Sequence, residues 1–203
     1  MSNNGSNTTI LQHPTTDTEI SWLKLPEEEN LPKEVQAIFH NLRDRYGFVH
    51  NFFRGFALNP EHLLRWFQYY NSVMNTPGQL SSRERELIAV VVSAEVHCEC
   101  CVVTHQAQLR EVVGDPVLAD LVALNYHRAN LSQTEQALLD FAVKITRDSY
   151  EMSPQDLKPL RELGLTDEAI LEAGEIAAQF NFTKRLTKAF GWLANPEYHQ
   201  LYR

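Results

Sequence analysis

The sequence is poor in several features that would each assign it to a class. It has no window near the roughly 20 consecutive apolar residues of a membrane span, and the longest apolar run near its cysteines is Leu87 to Val92. A membrane partner is therefore not expected. The first 23 residues contain no Lys or Arg, which excludes both a secretory signal and an Arg-rich transit peptide and leads to an expected cytoplasmic location. Nowhere do Lys and Arg cluster, and 18 of them face 26 Asp and Glu for a net charge of -8. No nucleic-acid partner is expected, since no basic surface is available to release counterions. Only three cysteines occur. A chain of 203 residues can bury about 70% of the surface its unfolded form would expose, so stability requires neither a disulfide framework nor a structural metal.

Alternating strand patterns are also missing, and the punctuation from Leu31 onward is helical. Val35, Ile38, Phe39, Leu42 and Tyr46 recur at helical spacing between Pro32 and Gly47, a helix start and a left-handed C-terminal cap. Asn59 is expected to cap a second helix that begins at Pro60 and ends before Pro77, because its side chain can satisfy the first free N–H groups. Ser81 with Glu84, and Ser132 with Glu135, are capping boxes that open two more helices. Ser153-Pro154 and Thr166-Asp167 open further segments. Val90-Val91-Val92 would suit a buried strand by propensity, but it follows a capping box without a break and reads as the central helix of a bundle. The expected fold is all-α. Leu80 to Glu84 recurs as Leu131 to Glu135, 51 residues later, which suggests an internal helical repeat. Residues 1–20 are polar with little to bury and are expected to be a flexible tail or, alternatively, a docking arm. Residues 21–203 form the single domain.

All three cysteines lie in Cys98-Glu99-Cys100-Cys101, and His105 follows. Cysteines at i and i+3 stand one helical turn apart, a spacing that can close a disulfide at a helix start. There the helix dipole favours thiolate, the form that attacks peroxide or disulfide sulfur. If the helices before and after residue 96 fold back on each other, Glu86 and His105 each lie roughly 14 to 15 Å from the turn and face each other. Glu86 would then orient His105 while His105 takes a proton from Cys101. Cys98, nearer the turn, is expected to be the more accessible thiol.

Glu86, eleven intervening residues, Cys98-Glu99-Cys100-Cys101, three more residues and His105 together resemble the redox signature of alkylhydroperoxidase D, within the carboxymuconolactone decarboxylase-like superfamily. Leu80 to Ala94, Asn59-Pro60-Glu61 and Asn181 to Leu186 look like the branch called peroxidase-related enzymes. The resemblance covers about residues 30 to 195. It implies an all-helical homo-oligomer that reduces hydroperoxides, hence an oxidoreductase, with a Cys98–Cys101 disulfide formed in the reaction and reduced by a lipoyl-type or other dithiol protein. By this carry-over Cys101 is the peroxidatic thiol, Cys98 the resolving thiol, and Glu86 and His105 the proton relay; no cofactor is implied. One position departs: Cys100 stands where the signature has a histidine, so the relay arm serving Cys98 lacks its base. His97 is the adjacent imidazole.

Other readings stay open at this level. Cys98, Cys100, Cys101 and His105 offer a Cys3His zinc set, and a zinc-bearing or redox-sensing interaction protein would use the same cysteines without turnover. Cys100, however, points about 200° around a helix from Cys98. Phe52, Phe53, Phe56, Trp66, Phe67, Tyr69 and Tyr70 are either core or the wall of a pocket for an organic hydroperoxide. His50 and His127 have no spacing that recommends them, and Arg185 is expected to be an ion-pair partner.

Overall fold

The computed structural model describes residues 20–203, and among them there is no β-strand. The flexible tail expected over residues 1–20 lies outside the described residues except for Ile20, which is buried and whose carbonyl accepts the Leu193 N–H at 3.2 Å. Nine α-helices follow among the described residues: α1 Lys33–Tyr46, α2 Asn51–Phe56, α3 Pro60–Met74, α4 Ser82–Glu95, α5 Glu99–Val113, α6 Pro116–Asn125, α7 Gln133–Asp148, α8 Lys158–Glu162 and α9 Asp167–Ala189. None is long and apolar enough to cross a membrane.

The helix ends follow the local chemistry of the sequence. Gly47 ends α1 in the left-handed conformation at φ 85°, where a Cβ would be unfavourable. Pro32 lies one position before α1 instead of inside it. Asn59 Oδ1 accepts the His62 N–H, and both capping boxes are closed in both directions. Two helices were not legible in the sequence. The six-residue α2 is too short to show periodicity, and the apolar run of α6, opened by the Asp115 cap, carries little amphipathic pattern.

The centre of the bundle is α4. Leu87 through Val92 are buried on every face because α5, α7 and α9 all pack against this helix; its three valines are helical since three neighbours leave no polar side for it to show. Burying each such side chain is worth about 1.5–3 kcal/mol. The two capping-box helices of the internal repeat, α4 and α7, lie side by side, and Arg83 Nε donates to Glu135 Oε1 at 2.5 Å. A second apolar cluster joins α1, α2 and α3 to Trp192. The segment after α9 holds it in place: Asn195 Oδ1 accepts the Asn51 N–H at 2.7 Å, and Asn195 Nδ2 donates to the Val49 carbonyl at 3.1 Å. The cavity described next lies between these two clusters.

Candidate active site

The turn from α4 to α5 carries the cysteines. His97 takes the left-handed conformation at φ 53°, which reverses the chain tightly enough for the Cys98 N–H to reach the Ser93 carbonyl at 3.1 Å. Cys98 is thus the residue immediately before α5, at the positive end of its dipole. The expected accessibility is reversed. Cys98 is 1% exposed and Cys101 7%, and Val96 and Ala194 pack against the cluster that the three cysteines form. Cys101, one turn on, borders the cavity. His97 has an exposed side chain, and its carbonyl accepts Lys188 Nζ at 3.2 Å.

The antiparallel return of α5 along α4 brings two buried side chains together. His105 Nδ1 donates to Glu86 Oε2 at 2.8 Å, which leaves Nε2 free of that bond. The His105 ring stands edge-on to Phe180, with centroids 4.5 Å apart. Glu86, which read alone could have been a surface carboxylate, is buried.

His105, Cys100 and Cys101 border a cavity of about 250 Å³ whose other walls include Phe52, Phe53, Trp66, Phe67, Tyr70 and Phe180. Of the aromatic residues in question, these five from Phe52 to Tyr70 line the cavity; Phe56 faces a separate apolar groove, and Tyr69 is partly exposed. His50, which had no recommending spacing, is part of the site. Its Nε2 stands 3.1 Å from Thr104 Oγ1 and 3.6 Å from Cys100 Sγ. His127 instead bonds Gln136, and Arg185 donates to Asn181.

The environment separates the thiols. The Cys101 thiol donates to the Cys98 sulfur, which favours the Cys98 thiolate and lowers its pKa; Lys188 and Lys184 act in the same direction against the cost of burial. That bond and burial together raise the Cys101 pKa well above the usual thiol range. Cys98 is therefore the first of the pair to ionise. Burial pushes the Cys100 thiol up and lowers the His50 imidazole to about 3, with a further push from His105. None of the three cysteines is in a disulfide. The Cys3His zinc set is not assembled, because Cys100 turns toward His50; among the described residues no three His, Cys, Asp or Glu side chains converge as metal ligands.

Comparison with known proteins places this arrangement. The model of the carboxymuconolactone decarboxylase family matches residues 60–116, which span α3, α4, the cysteine turn and α5. A peroxidase-related protein from Ralstonia eutropha JMP134, described as an alkylhydroperoxidase AhpD core, is 35% identical over 95% of this chain and 98% of its own, with a TM-score of 0.88. A second peroxidase-related protein, from Silicibacter sp. TM1040, is 37% identical over 95% of this chain and all of its own, again with a TM-score of 0.88. This chain belongs to the alkylhydroperoxidase D-like, carboxymuconolactone decarboxylase superfamily. The debrominase Bmp8 shares the fold at 14% identity and a TM-score of 0.74 over 91% of this chain and 96% of its own. A search of the curated proteins found no match.

Of the signature residues, Cys101 and His105 border the cavity, Glu86 is bonded to His105, Cys98 is buried immediately before α5, and the side chain of His97 is exposed. Sequence reasoning overlooked His50 and Lys184. His50 left no signal, since its position depends on the short α2 and the docked C-terminal segment. Lys184 left one: it follows Ile176, Ala177 and Phe180 on the buried stripe of α9, and a cation on an apolar stripe is an anomaly that asks for a partner.

Proposed function

We propose that this chain is a thiol-dependent hydroperoxide reductase in which Cys101 attacks the peroxide and Cys98 resolves it. The observation that carries this reading is that one member of each of two pairs borders the same aromatic-lined cavity: Cys101, with Cys98 one turn before it, and His105, with Glu86 on its Nδ1 at 2.8 Å. His105, held through Nδ1 by Glu86, has Nε2 left to accept the Cys101 proton and return it to the departing oxygen. Cys101 sulfur displaces the alkoxide from the O–O bond, which leaves a Cys101 sulfenic acid and an alcohol. The Cys98 thiolate then attacks that sulfur; water departs and the Cys98–Cys101 disulfide forms. A dithiol protein of lipoyl type restores both thiols by two exchanges, its own pair ending as a disulfide.

The aromatic wall fits an organic hydroperoxide, because it offers apolar contact and excludes water around the developing charge. Thiols that cycle in this way suit a reducing compartment such as the cytoplasm. A homo-oligomer is part of the reading, and sedimentation at micromolar concentration should show a particle larger than one 23.3 kDa chain. The decisive experiment adds one equivalent of cumene hydroperoxide to the reduced protein after its metal content has been measured. Loss of two thiols, with a Cys98–Cys101 disulfide in the peptide map, supports the reading. Stoichiometric zinc, or thiols unchanged by the peroxide, would overturn it in favour of a binding or sensing role for the same cysteines.

A further inference from the structure

We infer that Lys184, seconded by Lys188, holds Cys98 as a thiolate and so replaces electrostatically the histidine that Cys100 displaces from the family signature. The two lysines are four residues apart, on one face of α9. Lys184 Nζ donates to the Val92 carbonyl, and Lys188 Nζ to the His97 carbonyl at 3.2 Å. Val92 is in the last turn of α4 and His97 immediately precedes Cys98, whose N–H is tied to Ser93. Two ammonium groups are therefore anchored on the segment that leads into Cys98, and their charges act on its sulfur, which also sits at the N-terminus of α5.

Lys184 is fully buried, and a buried ammonium without a counter-charge is expensive. The groups of negative character facing it are Cys98, Cys101 and Glu95, while Arg185 opposes it. Glu95 is already paired with Arg147, and of the two sulfurs it is Cys98 that stands at the positive end of the α5 dipole. Cys98 is therefore the better placed to carry the counter-charge. Burial, with help from Arg185, lowers Lys184 to about 8; it is a cation at neutral pH and loses that charge as pH rises past this value.

The consequence rests on the proposed reading of Cys98 as the resolving thiol. A Cys98 already ionised can attack the Cys101 sulfenic acid without a neighbouring base. It is also the better leaving group when the second thiol of the reductant breaks the mixed disulfide, since a thiol of lower pKa departs faster. Lys184 touches no reacting atom in these steps and is a positioning residue.

The test reads ionisation and needs no peroxide. In a full-length chain carrying Cys100→Ser and Cys101→Ser, thiolate absorbance at 240 nm against pH reports Cys98 alone. Adding Lys184→Met should move the midpoint up by about one unit, a roughly tenfold loss of thiolate at any pH well below it. Lys184→Arg, which keeps the charge, should stay close to the parent, whereas a purely structural lysine would be replaced as well by Met. Lys188→Met should also give an upward shift, since its charge acts on Cys98 in the same direction. A midpoint unmoved by Lys184→Met overturns the inference. Should that variant fail to fold, an unmoved midpoint in Lys188→Met overturns it instead. If both midpoints shift while cumene hydroperoxide consumes no thiols in the parent, the catalytic reading falls and the lysine assignment stands.

Discussion

The cavity has two unlike walls, one polar and sulfur-bearing and the other mainly aromatic. The wall made by α5, with α4 behind it, carries His105, Cys100 and Cys101, and His105 is bonded to Glu86 of α4. The wall made by α1, α2 and α3 is aromatic, and its one imidazole, His50, is held neutral by burial. Charge can be moved on the first wall because every partner is pre-placed. The second wall offers mainly apolar contact, and burial beside it strengthens the interactions of the first. If the division is real, substitutions on the two walls should fail in different ways.

The largest expected effect lies on the hairpin wall. Cys101→Ser should abolish hydroperoxide consumption, while Cys98→Ser should leave one stoichiometric turnover that ends in sulfenic acid; equal residual rates in the two variants, followed by peroxide assay, would erase the distinction between the thiols. His105→Gln should slow consumption by about 100-fold or more, the usual worth of a positioned base. Glu86→Gln should cost less, about tenfold, since it preserves an acceptor for His105 Nδ1 and an orienter matters less than the base it orients. A reversed order in initial rates would show that the carboxylate handles the proton directly.

On the aromatic wall the expected losses are of stability. A Cβ on Gly55 would stand 2.3 Å from the Trp192 ring, so Gly55→Ala should destabilise the chain by about 1–3 kcal/mol, as overpacking commonly does, in chemical denaturation. His50 makes the same wall sensitive to acid. With its folded pKa lowered to about 3, the unfolded chain binds a proton below about pH 6.5 that the folded chain refuses. Stability should therefore fall as pH drops from about 6.5 toward 3, and His50→Phe should flatten that part of a plot of melting temperature against pH. The smallest effect belongs to neither wall: His97→Asn, at a position that needs a left-handed backbone, should leave the rate of peroxide consumption unchanged. A tenfold loss there would bring the outer side of the turn into the site.

These expectations were unequally visible in the sequence. The capping boxes at Ser81 and Ser132, the Gly47 cap and the uniformly apolar Leu87 to Val92 announced the bundle and its central helix, because each rests on interactions within one turn or on one repeat length. Glu86 and His105 could be paired on paper for a related reason: an antiparallel hairpin with a known turn fixes depth by counting residues. The order of exposure of Cys98 and Cys101 could not be counted. It depends on Ala194 and Val96 covering the turn, and a covering residue 96 positions away leaves no mark near the cysteines.

What the sequence alone determined is the set of local choices: all-α class, most helix ends, and a thiol pair, a carboxylate and an imidazole at spacings that one hairpin brings together. Hydrogen bonding within a turn and the 1.5 Å rise of a helix decide these without help from the rest of the chain. Only the tertiary structure decided that His50 joins Thr104 and Cys100, that α1, α2 and α3 close the cavity with aromatic rings, and that Lys184 lies buried behind Cys98. Those placements come from the packing of segments distant in sequence. They are set by how apolar surfaces fit and by which buried charges find partners, and both depend on the whole folded chain.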